Sequence, residues 1–401
     1  MMLTNNAAVN RAAVMMVSTS RALEGYLYYR PSITRESPPM GRIVTIVGTR
    51  PEIIKMAPVV KALDRLEHEH VLVHSGQHYD LVMDRIFFRD MQLREPDHRF
   101  ELKEQPPYLQ VATTMRDVAE VAGNSDLVIV HGDTNTTLAG ALLANKLGRP
   151  LAHVEAGIRS FDKTMPEEMN RIVADQLSRI LFAPTELSKA NLARENVTRG
   201  VHVVGNSVID ALKQNVAVAE ERSDVLERLE LTPRRYLLLT FHRAENVDDK
   251  ARLAAALDAF ASVGSETGLP IIFPIHPRTV KALRAHSLER RASDIQSLRR
   301  IEPTGYLDLL VLEKNAALVL TDSGGLQEEC CFFRVPCVTL RENTERPETL
   351  DIGANVLAGT DPPRVTKAAR FQLDAKKDWP NPYGDGTTGT RIATIVNEFL
   401  G

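Results

Sequence analysis

From Arg42 onward the chain alternates short, wholly apolar runs with longer stretches in which apolar residues recur every three or four positions. The runs "IVTIVG" (43–48), "HVLVHS" (70–75), "DLVIVHG" (126–132), "PLAHVEA" (150–156), "ILFAP" (180–184) and "VHVVG" (201–205) each lead into a polar turn and a helical segment. Continuous apolar runs rich in Val and Ile predict strands buried on both faces. Strands separated by helices predict a parallel sheet. A charged helical stretch near 210–232 and Pro233 interrupt the pattern, which then restarts with "YLLLTF" (236–241), "PIIFPIH" (270–276), "ALVLTDSGG" (317–325), "VPCVTL" (335–340) and "NVLAG" (355–359). The expectation is an α/β protein with two doubly wound, Rossmann-like domains facing a cleft, over residues 41–207 and 208–375. In such sheets ligands bind beyond the carboxyl ends of the strands. The chemistry is therefore sought in the residues that follow each run.

Composition changes this picture little. Of 401 residues 43% are hydrophobic and 25% charged, with a formal net charge of -3. That balance gives no pull toward nucleic acid or an anionic membrane surface, and no apolar run approaches the ~20 residues that span a bilayer. Cys330, Cys331 and Cys337 are clustered rather than spaced as a disulfide framework or zinc site; they read as small core residues in a reducing cytoplasm. Residues 1–40 lack periodicity and a signal-peptide pattern. They read as a flexible extension, or as sequence upstream of a start at Met40. "EHEHVLVH" (67–74) offers His68, His70 and His74, but without a Cys pair or a His-Glu-x-x-His helix no metal is expected.

The strand ends carry the candidate chemistry. In "GTRPEIIK", Thr49 and Glu52 form a capping-box pattern with Pro51 in the first turn. Arg50 is thereby placed at a helix N-terminus, where amides and dipole attract an anion, with Lys55 one turn later. "TDSGGLQEE" follows a later strand and opens another helix. Its Ser323, Gly324 and Gly325 let backbone amides approach a phosphate, and Glu329 is placed to accept hydrogen bonds from ribose hydroxyls. One anion-type loop from each half, with no dinucleotide fingerprint, suggests a sugar nucleotide held across the cleft. Asp133, Glu155 and His242 end their runs, and "FPIHPRT" adds His276 while "SGQH" adds Gln77 and His78. Asp133 could instead cap the next helix. Carboxylates desolvated together push one another's pKa upward, so an acid and a base can coexist near neutral pH.

The ordered set "GTRPEIIKMAP", "SGQH", "HGDTNTTLAGA", "HVEAGIRSFDKTMPEEMNR", "TFHRAEN", "PIHPRT", "LTDSGGLQEE" and "ENTERPET" closely resembles the non-hydrolysing UDP-N-acetylglucosamine 2-epimerases from Met40 nearly to the C-terminus. The resemblance implies a GT-B-like fold, a cytoplasmic homodimer, a C-terminal segment (376–401) returning to the first domain, and neither metal nor nicotinamide. It implies catalytic roles for Asp133, Glu155, Glu167 and His242. UDP or substrate binding would fall to Arg50, Lys55, Arg159, His276, Ser323, Gly324, Gly325, Glu329 and Arg346. Gln77 and His78 would lie near an allosteric UDP-GlcNAc. The implied reaction exchanges UDP-GlcNAc and UDP-ManNAc by eliminating UDP to a 2-acetamidoglucal and adding it back, in supply of surface polysaccharide. A hydrolysing epimerase and a GT-B glycosyltransferase are the alternatives. One departure is Arg334, which stands where the family commonly has glycine. If the backbone there needs a positive φ, arginine costs roughly 1 kcal/mol.

Overall fold

The computed structural model describes residues 41–77, 88–89, 91–102 and 104–401. The expectations for residues 1–40 and for His78 lie outside the described residues. Thirteen strands are formed among those described: β1 Arg42–Val47, β2 Glu69–His74, β3 His98–Arg99, β4 Leu127–His131, β5 Leu151–Val154, β6 Ile180–Ala183, β7 Val201–Val203, β8 Leu237–Thr240, β9 Ile271–Pro274, β10 Leu298–Ile301, β11 Leu318–Thr321, β12 Cys337–Thr339 and β13 Asn355–Leu357.

They build two parallel sheets, ordered β3-β2-β1-β4-β5-β6-β7 and β10-β9-β8-β11-β12-β13. Each sheet winds outward in one direction from its first strand and then in the other. The winding reverses between β1 and β4, and again between β8 and β11. A crevice opens at such a reversal, beyond the carboxyl ends of the strands.

The central strands are apolar because helices cover both faces. Ile43, Leu72, Ile129 and Phe182 pack on one side of the first sheet, and Val44, Val73, Val128 and Val130 on the other. The edges differ. β7 was expected to be buried on both faces but is only partly buried along its length, as an edge strand with one neighbour must be. β10 reads "LRRI" and exposes two arginines, so it has no apolar run, and the two-residue β3 is too short to leave a periodic signal.

The final helix, Thr388–Leu400, crosses to the first sheet. Its Ile392, Ala393 and Val396 join the cluster that holds Ile43, Ile53 and Leu63. The approach is close at Gly389, where a Cβ would lie 2.7 Å from the Pro58 carbonyl oxygen. The Gly389 amide also donates to Asp210 Oδ1 at 2.8 Å. All three cysteines are free and buried, as core residues should be. Among the described residues no helix is long and apolar enough to cross a membrane.

Arg334 ends the Gly324–Phe333 helix with φ 54° and ψ 39°, the left-handed conformation that glycine adopts without penalty. Arg334→Gly should therefore relieve about 1 kcal/mol of backbone cost, offset by roughly 0.4–1 kcal/mol from a freer unfolded chain. The net expectation is a variant no less stable than wild type, whereas the β-branched Arg334→Val should lose about 1–2 kcal/mol. Urea denaturation of the two variants side by side checks this; equal stabilities would show that the conformation costs nothing.

Candidate active site

At the reversal in the first sheet, the loop after β1 and the loop after β4 are joined through one buried carboxylate. Glu52 Oε2 accepts from the Gly48 and Thr49 amides at 2.8 and 2.7 Å. Its Oε1 accepts from Thr134 Oγ1 at 2.8 Å and Thr137 Oγ1 at 3.3 Å. The capping box read from the sequence is present, and it reaches across to a second strand. Gly48 must be glycine, because a Cβ would fall 2.1 Å from Thr136 Oγ1 and 2.3 Å from Ser75 Oγ. Thr134, rather than Asp133, caps the following helix Asn135–Lys146. Asp133 is left to pair with Arg171, whose Nη2 and Nε lie 2.6 and 3.0 Å from Oδ2. Its carboxylate keeps one third of its surface exposed.

Glu155, just past β5, is the hub of a buried ionic cluster. Lys55 Nζ donates to its two oxygens at 2.9 and 2.8 Å. Arg346 Nη2 donates to Oε1 at 2.7 Å, and His131 Nε2 stands 2.9 Å from Oε2. Burial alone would raise the Glu155 pKa. The charges of Lys55, His131 and Arg346 overcome it and hold the carboxyl well below the usual range. The residue also has φ 70°, a strained conformation that persists only where the surroundings enforce it. Arg346 Nε and Lys55 Nζ, the latter at 3.5 Å, further engage Glu328, which accepts from Asn206 Nδ2 at 2.9 Å. Chain from the second sheet is thus clasped to the first through largely buried charges.

The "PEE" glutamates separate sharply. Glu168 is buried, accepting from the Ser160 and Phe161 amides at 2.9 Å each and from Arg171 Nη1 at 2.6 Å. Glu167, half-buried in the first turn of the helix Pro166–Leu177, makes no side-chain hydrogen bond or ion pair among the described residues. One glutamate braces the loop while its neighbour stays available for chemistry.

Across the cleft, Asp322 organises the loop after β8. Its Oδ2 accepts from the His242 and Arg243 amides at 2.9 and 2.8 Å and from Asn246 Nδ2 at 3.2 Å. This sets His242 beside His276, with ring centroids 5.3 Å apart. Burial, then the charges of His242, Arg278 and Arg50, lower the His276 pKa against the pull of Asp322. His276 is accordingly neutral at pH 7, and its Nδ1 accepts from the Arg278 amide at 3.1 Å. Arg50, from the first lobe, thus lies near enough to be felt at a histidine of the second. Ser323 precedes the Gly324–Phe333 helix without using its side chain as a cap, and a Cβ on Gly325 would meet no atom within 4 Å. Such a site presents cations, a helix N-terminus and separated carboxylates around one crevice.

Several residues fall elsewhere than expected. Arg159, expected on the substrate, is buried with its guanidinium taken up by Asp175 at 2.7 Å, Glu195 at 2.8 Å and the Ile158 carbonyl at 2.7 Å. It is a brace for the loop after β5. Gln77 Oε1 accepts from the Thr136 amide at 3.0 Å and its hydroxyl at 2.8 Å. Sequence reasoning missed His131, Arg171, Glu328 and Glu345, the last held by Arg341 Nη1 at 2.8 Å and lying 3.9 Å from Arg171 Nη2. Of these, His131 ends a strand next to Asp133, so the strand-end rule could have found it.

The family described as UDP-N-acetylglucosamine 2-epimerase matches residues 61–397 of this chain. The UDP-N-acetylglucosamine 2-epimerase of Methanocaldococcus jannaschii is 44% identical over 360 residues, spanning 88% of this chain and 98% of that protein. Its crystal structure in complex with UDP-GlcNAc and UDP superposes with a TM-score of 0.84, covering 89% of this chain and 99% of that one. The UDP-2,3-diacetamido-2,3-dideoxy-D-glucuronate 2-epimerase of Pseudomonas aeruginosa is 37% identical, over 88% of this chain and 99% of its own length. Two parallel sheets with GT-B-like neighbours and similarity over nearly the whole described chain agree: this protein belongs to the UDP-N-acetylglucosamine 2-epimerase family.

Proposed function

We propose that the protein interconverts UDP-GlcNAc and UDP-ManNAc without hydrolysis. The observation that carries this reading is the placing of two carboxylates with unlike surroundings, Asp133 and Glu155, just beyond strands of one lobe, linked through Arg171 and Arg346 to Glu345 and Glu328 beside the phosphate-type loop of the other. The C2 proton of the sugar has no adjacent carbonyl to acidify it. Elimination avoids the difficulty: a base takes the C2 proton, the C–H electrons form the C1–C2 double bond, and UDP leaves C1 with its oxygen. A proton then arrives at C2 from the opposite face as UDP re-adds at C1. Asp133 and Glu167 supply acid/base groups open to the cleft. Arg50, Lys55, His242, His276, Arg346 and the first amides of the Gly324–Phe333 helix answer the charge that develops on the departing diphosphate.

Glu155 has a conditional role in this scheme. Held by the Lys55 ammonium and the Arg346 guanidinium it is a weak base. A diphosphate that draws Lys55 and Arg346 toward itself would return Glu155 toward ordinary basicity only when substrate is present. The higher identity to the UDP-GlcNAc enzyme than to the diacetamidoglucuronate enzyme supports the simpler sugar. A cofactor-free cytoplasmic homodimer in polysaccharide supply is part of the same reading, supported by the resemblance.

Incubation with UDP-GlcNAc alone in D2O, followed by NMR, tests the proposal. UDP-ManNAc carrying deuterium at C2 is expected. Free ManNAc with UDP would instead identify a hydrolase, and no change until an acceptor is added would identify a transferase. Asp133→Asn and Glu167→Gln should each slow deuterium entry about 100-fold while UDP still binds; wild-type rates in both would remove them from the chemistry.

A further inference from the structure

The helix Pro166–Leu177 does more than carry Glu167. About one turn after that glutamate, two successive side chains of the same helix reach Asp133. Asn170 Nδ2 donates to the Asp133 carbonyl oxygen at 2.9 Å, and Arg171 donates to the Asp133 carboxylate. The second contact departs from the common pattern, in which a guanidinium makes two parallel bonds, one to each carboxylate oxygen. Here Nε and Nη2 both end on Oδ2, at 3.0 and 2.6 Å, and among the described residues no hydrogen bond reaches Oδ1. One oxygen is spent on orientation. The other keeps its lone pairs, on a side chain that is one third exposed. The guanidinium is itself held on two further sides. Its Nη1 donates to Glu168 Oε2 at 2.6 Å, and Glu168 is fixed by the Ser160 and Phe161 amides. From the second lobe, Glu345 Oε1 lies 3.9 Å from Nη2, gripped by Arg341 through two nitrogens at 2.8 and 3.0 Å.

We propose that Arg171 is a positioning residue: it holds Asp133 by Oδ2 so that Oδ1 takes or returns the C2 proton, at a spacing from Glu167 set by the one helix that carries both Arg171 and Glu167. This rests on the proposed function. Residues four apart share a face of a helix, yet Arg171 is spent on Asp133 and Glu168 and leaves Glu167 alone. One rigid element therefore presents one acid directly and aims the other through a buried cation. An arginine stays protonated at any working pH, so Arg171 aims the base without exchanging the proton itself. Released from it, the Asp133 carboxylate can turn about its own side-chain bonds, and a misplacement of about 1 Å costs on the order of 100-fold in rate.

A double-mutant cycle on deuterium entry at C2 of UDP-GlcNAc isolates this role. Arg171→Gln should slow entry about 100-fold, with the loss in kcat and with KM and UDP affinity within about threefold of wild type. Placed on Asp133→Asn, the same change should cost no more than about threefold further, because residues that act as a unit are not additive. Equal factors in the two backgrounds, or a loss carried by KM and UDP affinity, would mark a merely structural residue and overturn the proposal. Wild-type rates in Arg171→Gln overturn it too. Should that variant fail to fold, Arg171→Lys keeps a charge among Asp133, Glu168 and Glu345 and gives up the planar geometry. It should slow entry about tenfold alone and about twofold or less on Asp133→Asn; undiminished turnover, or equal factors in both backgrounds, overturns the proposal. If wild type releases free ManNAc and UDP, the epimerase reading fails, and the cycle read on that product still decides the part of Arg171. A wild type that leaves UDP-GlcNAc unchanged overturns both.

Discussion

Glu155→Gln is expected to lower turnover about 1,000-fold, within the range for loss of an acid/base group, and to destabilise the fold by about 3–5 kcal/mol. Glutamine nearly preserves shape, so the loss is one of charge. Lys55 and Arg346 would face each other with only Glu328 between them, and His131 would lose its anionic neighbour. Removing one member of a buried ionic cluster is costly because the others remain desolvated. The pH dependence has a definite sign. A carboxyl whose folded pKa lies below its unfolded value contributes stability that is present above the unfolded value, about 4.3, and is lost as pH falls through the folded one. Wild type should therefore lose this contribution only below about pH 4.3, and the variant should lack it throughout. Turnover with UDP-GlcNAc and urea denaturation at neutral pH measure the two effects. Turnover within tenfold of wild type would show that Glu155 serves neither the chemistry nor its charge balance.

Arg346→Met should be nearly as damaging, for a different reason. Arg346 reaches Glu155 through one nitrogen and Glu328 through another, so a single planar group joins the lobes. Burial works against its charge, but Glu328, Glu155 and Glu345 together raise its pKa far beyond the ordinary arginine range. Methionine leaves the fully buried Glu328 with Asn206 and the more distant Lys55. A stability loss of about 3–5 kcal/mol and a UDP affinity lower by roughly 100-fold are expected. Arg346→Lys should rescue little, since an ammonium cannot hold two carboxylates in a fixed fork. Calorimetric titration with UDP decides the matter, and wild-type affinity in the lysine variant would contradict the fork.

The apolar runs made most of the fold legible, because strands covered by helices on both faces have no polar side to show. β10 escaped because an edge strand with solvent on its flanks can be written "LRRI". The ionic cluster was less legible. Lys55, Glu155 and Arg346 were each singled out, yet as separate contributors to substrate and catalysis. Nothing in the spacing of positions about 100 and 191 residues apart states that they meet. Glu328 and Glu329 are adjacent in the sequence, but neighbours on a helix point in different directions. It is Glu328 that enters the ionic cluster. Arg159 shows the reverse error: it sits in a motif rich in functional residues and holds up the loop that presents them.

The long return of the Thr388–Leu400 helix has a consequence for biosynthesis. A ribosome that has already released every strand of the first sheet has yet to emit the helix that seals one of its faces. Until translation finishes, the apolar surface around Ile43 and Leu63 awaits its cover, so maturation of the earliest-made half depends on the last-made one. A nascent chain stalled before Thr388 should bind chaperones through that half, and adding the missing peptide in trans should release it.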